Sequence, residues 1–110
     1  GGDFKAPTLS LTGELAANVF KGFHVKSCFL ATAGISKDFQ LTYPSLSDLA
    51  VKSAMIRSAD NVYLLADSSK IGNTSFATLG RLSLVDALIS DSLLGEETTA
   101  KIKKMNVKLM

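Results

Sequence analysis

The sequence predicts an α/β fold in which helices flank a mainly parallel sheet. Short apolar runs typical of buried strands alternate with segments whose apolar residues recur at helical spacing. Helical segments also separate most of the strands, and parallel strands need connections of that length. These two observations predict an α/β domain, and the 110 residues are enough for one.

The chain is expected to open with an irregular or extended segment, followed by a helix and a strand. The helix is predicted from Thr12 to Lys21, with Gly22 placed to stop it. Its apolar stripe is expected to consist of Leu15, Ala16, Val19 and Phe20. The first strand is predicted over Ser27–Ala33, where the nearly continuous apolar run indicates burial on both faces.

A second helix and a second strand occupy the middle of the chain. The helix is predicted to begin at Ser45, which resembles a capping box with Asp48, and to end near Ala59. The strand is predicted over Asn61–Ala66, which is β-branched, aromatic and apolar. The polar cluster Asp67–Lys70 follows it directly. Polar chemistry is therefore expected at the carboxyl end of this strand.

The last third of the chain predicts a strand, a helix and a short final strand. The strands are predicted over Ala87–Ser90 and Asn106–Leu109, and the helix over Glu96–Lys104 behind Gly95. Ligands of parallel α/β sheets bind beyond the carboxyl ends of the strands. The sequence thus directs attention to the residues that follow each strand.

Composition and charge limit the classes of protein to which this chain can belong. A content of 46% apolar and 20% charged residues, with no run long enough to cross a membrane, is typical of soluble globular proteins. The net charge is only +2, and the one lysine cluster, Lys101 with Lys103 and Lys104, suits a helix C-terminus better than a nucleic-acid surface. A single cysteine, Cys28, and the lack of a secretory signal favour the cytoplasm.

Several residues receive a structural interpretation rather than a functional one. His24, the only histidine, has no partner at metal-ligand spacing, so no metal site is predicted. Asp91 follows a strand and most simply caps or starts a turn. Taken alone, Asp67–Lys70 is more often an ordinary polar turn than a ligand site.

Six segments in order make the chain similar to a known family. They are Gly1-Gly2, TLSLTGELA (8–16), FLATAGIS (29–36), LAVKSAMIRSA (49–59), VYLLADSSKIG (62–72) and DALISD (86–91). This succession resembles the C-terminal sensor domain of DeoR-family bacterial transcription regulators. The resemblance implies a fold like that of ribose-5-phosphate isomerase and a domain that binds a phosphorylated sugar or related metabolite.

The same resemblance implies that residues 1–110 are the C-terminal part of a larger effector-sensing domain. The family's helix-turn-helix and the opening strand of its sensor, with a phosphate loop, have no counterpart here. DNA is therefore expected to be bound only through a separate N-terminal domain, and the full-length protein is expected to be a homo-oligomer without membrane association.

The isomerase itself offers a test for catalysis. The position of its Asp-Gly-Ala-Asp motif resembles that of Ala33–Ser36, where both carboxylates are absent. The position of its general-base Glu resembles that of Val51. Valine cannot accept a proton, so no enzymatic activity is expected. The isomerase Asp-x-Ser-Lys motif is retained as Asp67–Lys70. Chemistry that holds a ligand survives, whereas chemistry that transforms one is lost.

The predicted ligand-binding residues are Gly34, Lys52, Asp67, Ser69 and Lys70, and neither a catalytic residue nor a cofactor is predicted. Lys70 supplies positive charge to a phosphate or sugar oxygen, and Asp67 orients it or accepts hydroxyl protons. Ser69 donates to phosphate or caps the turn, and Gly34 permits close backbone approach. Two alternatives stay open: a divergent sugar-phosphate isomerase-like enzyme, and a module that serves oligomerisation alone.

Overall fold

The computed structural model describes all 110 residues as three sheets and three helices. The elements are β1 (Asp3–Lys5), β2 (Ser10–Thr12), α1 (Gly13–Asn18), β3 (Val25–Ala31), β4 (Gly34–Ile35), β5 (Gln40–Tyr43), α2 (Leu46–Arg57), β6 (Ala59–Leu65), β7 (Ala77–Arg81), β8 (Ala87–Ile89), α3 (Glu96–Lys104) and β9 (Lys108–Leu109). Short 3-10 turns follow β1, α1, β6 and β7.

The central sheet confirms the predicted fold class. It has four strands in the order β3-β6-β8-β9, and every neighbouring pair is parallel. Leu30, Leu64 and Leu88 lie side by side in register on its inner face and are at most 1% exposed. Helix α2 connects β3 to β6, and α3 connects β8 to β9, as crossover connections require.

A second, antiparallel sheet was not predicted. Its order is β4-β5-β7, and it contributes Ile35 and Leu41, both fully buried, to the same core as the parallel sheet. Thr42 is also fully buried, and its hydroxyl donates to the carbonyl of Gly34 at 2.9 Å and accepts from the amide of Ser75 at 3.0 Å. A buried polar residue whose hydrogen bonds are all made gives no hydrophobic pattern in the sequence.

Two predictions about burial were wrong. Strand β3 is not buried on both faces: Cys28 and Leu30 face the core, but Phe29 between them is 62% exposed. In α1 the stripe is misplaced, because Leu15 is 71% exposed while Ala17 is buried. In both places an apolar side chain lies on a surface that no other part of this chain covers.

Most predicted element bounds hold with small shifts, but α1 ends at Asn18 and a 3-10 turn over Val19–Gly22 follows it, where the helix was predicted to continue to Lys21. Helix α3 has the predicted bounds, and α2 begins one residue after Ser45. Strand β3 begins and ends two residues before its predicted bounds, because the chain leaves the sheet at Thr32 to enter β4. The segment predicted to be irregular or extended contains the β1–β2 hairpin. No helix has both the length and the apolar character needed to cross a membrane.

Candidate functional site

An open pocket of about 450 Å3 lies at the carboxyl ends of β3, β6 and β8. We call it the Lys70 pocket. Its lining consists of Ala31, Thr32, Leu65, Ala66, Asp67, Lys70, Ile89, Ser90 and Asp91. Parallel strands bring their carboxyl ends to one edge of a sheet, so residues that are far apart in the sequence meet there.

The turn after β6 positions Asp67 and Lys70. Asp67 caps a 3-10 turn over Ser68–Lys70, and its Oδ1 accepts from the amide of Ser69 at 2.9 Å and also from the Ser69 hydroxyl. Its Oδ2 has no partner within the chain. The ammonium group of Lys70 likewise forms no ion pair or hydrogen bond within the chain. The pocket therefore presents a free cation and a free carboxylate oxygen.

Asp91 ties this turn to the neighbouring strand. Its Oδ2 accepts from the amide of Ser68 at 3.1 Å and from the hydroxyl of Ser68 at 3.0 Å. Its Oδ1 accepts from the amide of Leu93 at 2.9 Å, which is the turn-starting role expected from the sequence. The backbone hydrogen bonds from Ser68 and Leu93 hold the pKa of the Asp91 carboxyl below its usual range. Asp91 is therefore ionised at neutral pH.

Ser90 contributes an unpaired hydroxyl. Its Oγ is buried and has no hydrogen-bond partner, the one buried side-chain polar atom of which this is true. Leaving a buried hydroxyl unpaired costs about 1–3 kcal/mol, so such a group calls for an explanation. Because Ser90 also lines the Lys70 pocket, its hydroxyl is a candidate contact for a bound molecule.

A second pocket of about 290 Å3 adjoins the first. We call it the Lys52 pocket. It is lined by Lys5, Thr8, Ser10, Ala31, Thr32, Ala33, Tyr43, Pro44, Asp48 and Lys52, so it shares Ala31 and Thr32 with the Lys70 pocket. The ammonium group of Lys52 lies 5.9 Å from the centre of the Tyr43 ring, within range of a cation–π contact, and forms no ion pair within the chain.

The carboxylate of the Lys52 pocket is already paired. Asp48, near the start of α2, accepts from the ammonium group of Lys5 at 3.1 Å, and both side chains are largely buried. Ser45 donates to the same carboxylate at 3.2 Å. The predicted capping box is not formed, because the Ser45 side chain accepts no hydrogen bond from the helix backbone. Asp48 instead joins α2 to Lys5 in the β1–β2 hairpin, 43 residues away in the chain. Lys52 is left as the uncompensated charge of this pocket.

Gly34 lies outside both pockets. It is buried in β4, and a Cβ atom there would overlap the carbonyl oxygen of Asn73. The close backbone approach that the sequence suggested is present, but its partner is the chain segment after Lys70. In the structure Gly34 therefore supports the position of that segment.

A third depression of about 270 Å3 lies at the opposite edge of the sheet. Its lining includes His24 and Arg57 and none of the predicted site residues. His24 pairs with Asp60 at 2.8 Å, and both side chains are mostly exposed. No group of three or more His, Cys, Asp or Glu residues is arranged to hold a metal ion. We favour the Lys70 and Lys52 pockets because ligands of parallel sheets bind at the carboxyl edge.

The structure thus brings together three of the five predicted residues. Asp67 and Lys70 line one pocket and Lys52 the adjoining one, whereas Ser69 is exposed beside Asp67 and Gly34 is buried beneath Asn73. Sequence reasoning did not select Ser90, Asp91, Thr32 and Lys5. The first two directly follow β8, so the rule that drew attention to Asp67 applies to them as well. Lys5 carries no local signal, since a distant hairpin brings it to the site.

Comparison with known proteins places the chain in a family. A family model described as the DeoR C terminal sensor domain matches residues 1–92. The chain is 28% identical over 110 residues to the HTH-type transcriptional regulator GlpR of Haloferax volcanii, covering all of this chain and 43% of that protein. It is 31% identical over 110 residues to the HTH-type transcriptional repressor GlcR of Bacillus subtilis, covering all of this chain and 42% of that protein.

A third relative matches a shorter part of the chain. The glycerol-3-phosphate regulon repressor of Escherichia coli is 27% identical over 92 residues, which are 84% of this chain and 36% of that protein. The chain thus spans less than half the length of the curated relatives that it matches. Since the family model covers most of the chain, these 110 residues belong to the DeoR C-terminal sensor domain family.

Proposed function

We propose that this chain is the effector-binding part of a DeoR-family transcription regulator and that its Lys70 and Lys52 pockets sense a phosphorylated sugar or related metabolite. The effector controls DNA binding by a separate helix-turn-helix domain. The observation that carries the proposal is the pair of unpaired ammonium groups, Lys70 and Lys52, in adjoining pockets at the carboxyl edge of the parallel sheet. Ammonium groups without an internal partner are available to bind an anionic ligand.

We also propose that residues 1–110 are the C-terminal part of the complete sensor domain, which functions in the cytoplasm as a homo-oligomer. The length of the relatives, which are more than twice as long, supports the view that these residues are part of a longer protein. So does strand β3, which pairs with β6 on one side and has a free edge on the other. The exposed Phe29 beside that edge fits a surface that further polypeptide covers.

A sensing role is favoured over catalysis by what the pockets lack. The positions that resemble the isomerase carboxylates hold Ala33 and Ser36, and the position of its general base holds Val51. In the Lys52 pocket the carboxylate of Asp48 is engaged by Lys5 at 3.1 Å. Asp67 and Lys70 are the residues that favour the enzyme alternative, and turnover of ribose 5-phosphate by the purified protein would support it.

The test is a binding screen with a charge-removing variant. Phosphorylated sugars are screened by thermal shift against the 110-residue chain and, in parallel, against the longer regulator that we propose contains it. Lys70→Met is expected to weaken binding of the stabilising compound about tenfold or more, because it removes a charge-assisted hydrogen bond. Lys26→Met is the matched control, since Lys26 is exposed on β3 away from both pockets.

Two outcomes would count against the proposal. If no phosphorylated sugar stabilises either form, the sensing role is wrong and the domain serves oligomerisation. If Lys70→Met binds as well as Lys26→Met, the ligand binds elsewhere. A ligand that regulates DNA binding must also have different affinities for the DNA-bound and free regulator, which titration with and without operator DNA measures.

A further inference from the structure

The two adjoining pockets differ in the sign of their charge. The Lys70 pocket contains two carboxylates, Asp67 and Asp91, against one ammonium group, Lys70. The Lys52 pocket contains a neutral ion pair, Lys5 with Asp48, and the additional ammonium group of Lys52. One pocket is thus net negative and the other net positive, and the short segment Ala31–Thr32 lies between them.

We propose that this polarity orients the ligand: the phosphate group binds over Lys52, and the hydroxyl-bearing carbons extend into the Lys70 pocket, where Ser90, Asp91 and Asp67 bind them. This inference rests on the proposed function, since it takes the ligand to be a phosphorylated polyhydroxy compound. It adds two ligand-binding residues, Ser90 and Asp91, that sequence reasoning did not select, and it makes Lys52 a phosphate ligand in addition to the phosphate loop that the family resemblance places upstream of residue 1.

The carboxylates of the Lys70 pocket are suited to hydroxyl groups and not to phosphate. A dianionic phosphate beside Asp67 and Asp91 would meet like charges, whereas sugar hydroxyls would donate hydrogen bonds to them. Oδ2 of Asp67 accepts no bond within the chain, and Oδ1 of Asp91 accepts only one, from Leu93. Both carboxylates therefore retain acceptor positions for a ligand.

The hydroxyl of Ser90 supplies a donor in the same pocket. It is buried and unpaired in the structure, and Ser90 lines the Lys70 pocket. Our proposal requires a rotation about its Cα–Cβ bond to another staggered position, in which the hydroxyl faces the ligand. A ligand hydroxyl that meets it satisfies a group that otherwise has no partner. The free ammonium group of Lys70 completes a set of donors and acceptors around a polyhydroxy chain.

Lys52 is held in place for the other end of the ligand. Its ammonium group lies 5.9 Å from the centre of the Tyr43 ring, and the hydroxyl of Tyr43 donates to the carbonyl of Ala31 at 2.6 Å. The ring is thereby fixed to the segment that separates the two pockets. A phosphate above Lys52 would therefore lie next to this segment, and the rest of the molecule would reach the Lys70 pocket across it.

Competition with inorganic phosphate tests this orientation. The phosphorylated sugar with the largest thermal shift is titrated in the longer regulator at constant ionic strength, with and without inorganic phosphate, because surface charge effects depend on salt. In the unmodified protein, inorganic phosphate is expected to compete. Lys52→Met is expected to weaken that competition about tenfold or more, whereas Ser90→Ala and Asp91→Asn leave it within about twofold.

The same two variants report on the hydroxyl end. Ser90→Ala and Asp91→Asn are each expected to weaken binding of the sugar phosphate about fivefold, the size expected for one hydrogen bond. The exposed residues Ser83 and Asp38 lie outside both pockets, so Ser83→Ala and Asp38→Asn serve as controls.

The inference is wrong if inorganic phosphate fails to compete, if its competition survives Lys52→Met, or if Ser90→Ala and Asp91→Asn bind the sugar phosphate like their controls. Competition that is lost with Lys70→Met and kept with Lys52→Met would reverse the orientation. In all these cases the sugar phosphate still binds, so the proposed function stands. Failure of every sugar phosphate to bind would instead contradict the proposed function itself.

Discussion

Tyr43 shows how one buried side chain connects the core with the candidate site. It is 4% exposed, its ring faces Lys52, and its hydroxyl donates to Ala31 between the two pockets. Burial is the largest cause that raises the pKa of Tyr43 to about 12, since desolvation disfavours the phenolate. The neutral phenol is therefore part of the folded structure.

The raised pKa of Tyr43 predicts a specific loss of stability at alkaline pH. The unfolded phenol ionises near pH 10 and the folded one near 12, so its contribution is complete below pH 10 and disappears between pH 10 and 12. The free energy of unfolding should fall by roughly 2 kcal/mol more across this range than in Tyr43→Phe. Urea denaturation at pH 10 and pH 12 measures the difference, and an equal loss of stability in the two proteins would contradict the prediction.

The Asp67–Lys70 turn was predictable because its residues directly follow a strongly apolar strand. Asp91 stands in the same relation to β8 and received only a turn role, since the sequence does not show that its second oxygen reaches Ser68. The sequence likewise does not show that Gly34 packs against Asn73. Each of these contacts joins segments that only the folded chain brings together.

At the scale of elements, the parallel strands and α3 were predictable, but the antiparallel sheet was not. Strands β3 and β6 have seven residues each and end in four consecutive apolar residues, CFLA and VYLL, which give a clear local signal. Strand β7 has the sequence ATLGR, with alternating small, polar and apolar residues, and its partner β5 contains the buried Thr42. Hydrogen bonds between these two strands stabilise the sheet, and the sequence of neither strand indicates that the other is its partner.

The close packing of β4 predicts that adding a single carbon atom at Gly34 lowers stability. The amide of Gly72 donates to the carbonyl of Ile35 at 2.7 Å, so β4 holds the segment that follows the Lys70 turn. In Gly34→Ala the new Cβ would overlap the carbonyl of Asn73 and displace that segment. We expect a loss of about 1–3 kcal/mol in the free energy of unfolding, together with weaker ligand binding.

Gly22→Ala is the matched control for this prediction. No atom lies within 4 Å of a Cβ placed at Gly22, and its backbone is not left-handed, so alanine there should change stability by at most about 0.5 kcal/mol. Chemical denaturation of both variants gives the comparison. Equal stability of Gly34→Ala and Gly22→Ala would show that the segment after Lys70 adapts without cost.

At the scale of the whole molecule, the strand order explains why one face of the parallel sheet is bare. The strands are added in one direction, β3-β6-β8-β9, and right-handed crossovers made in one direction lie on the same face. Residues of α2 and α3 accordingly join a single core, Met55 from one helix and Ile102 from the other. The opposite face receives no helix from this chain.

The bare face is apolar, not polar. In register across β3 and β6 it presents Phe29 stacked on Tyr63, with ring centres 5.3 Å apart, and Leu65, which is 46% exposed. An antiparallel sheet that faces water normally has polar residues on that side, whereas parallel sheets are covered on both faces. The composition of this face therefore supports the proposal that further polypeptide of the sensor domain packs against it.

This proposal predicts that Phe29→Ser lowers the stability of the longer regulator much more than that of the 110-residue chain. In the 110-residue chain the Phe29 ring is 62% exposed, so the substitution should cost little stability and should reduce self-association and binding of a hydrophobic dye. In the longer regulator the substitution would remove a covered ring and should lower the free energy of unfolding by about 3 kcal/mol. Phe76→Ser is the control, because Phe76 is 79% exposed on a separate loop. If Phe29→Ser leaves the longer regulator as stable as Phe76→Ser does, the upstream polypeptide does not cover this face, and a second copy of the chain becomes the better candidate.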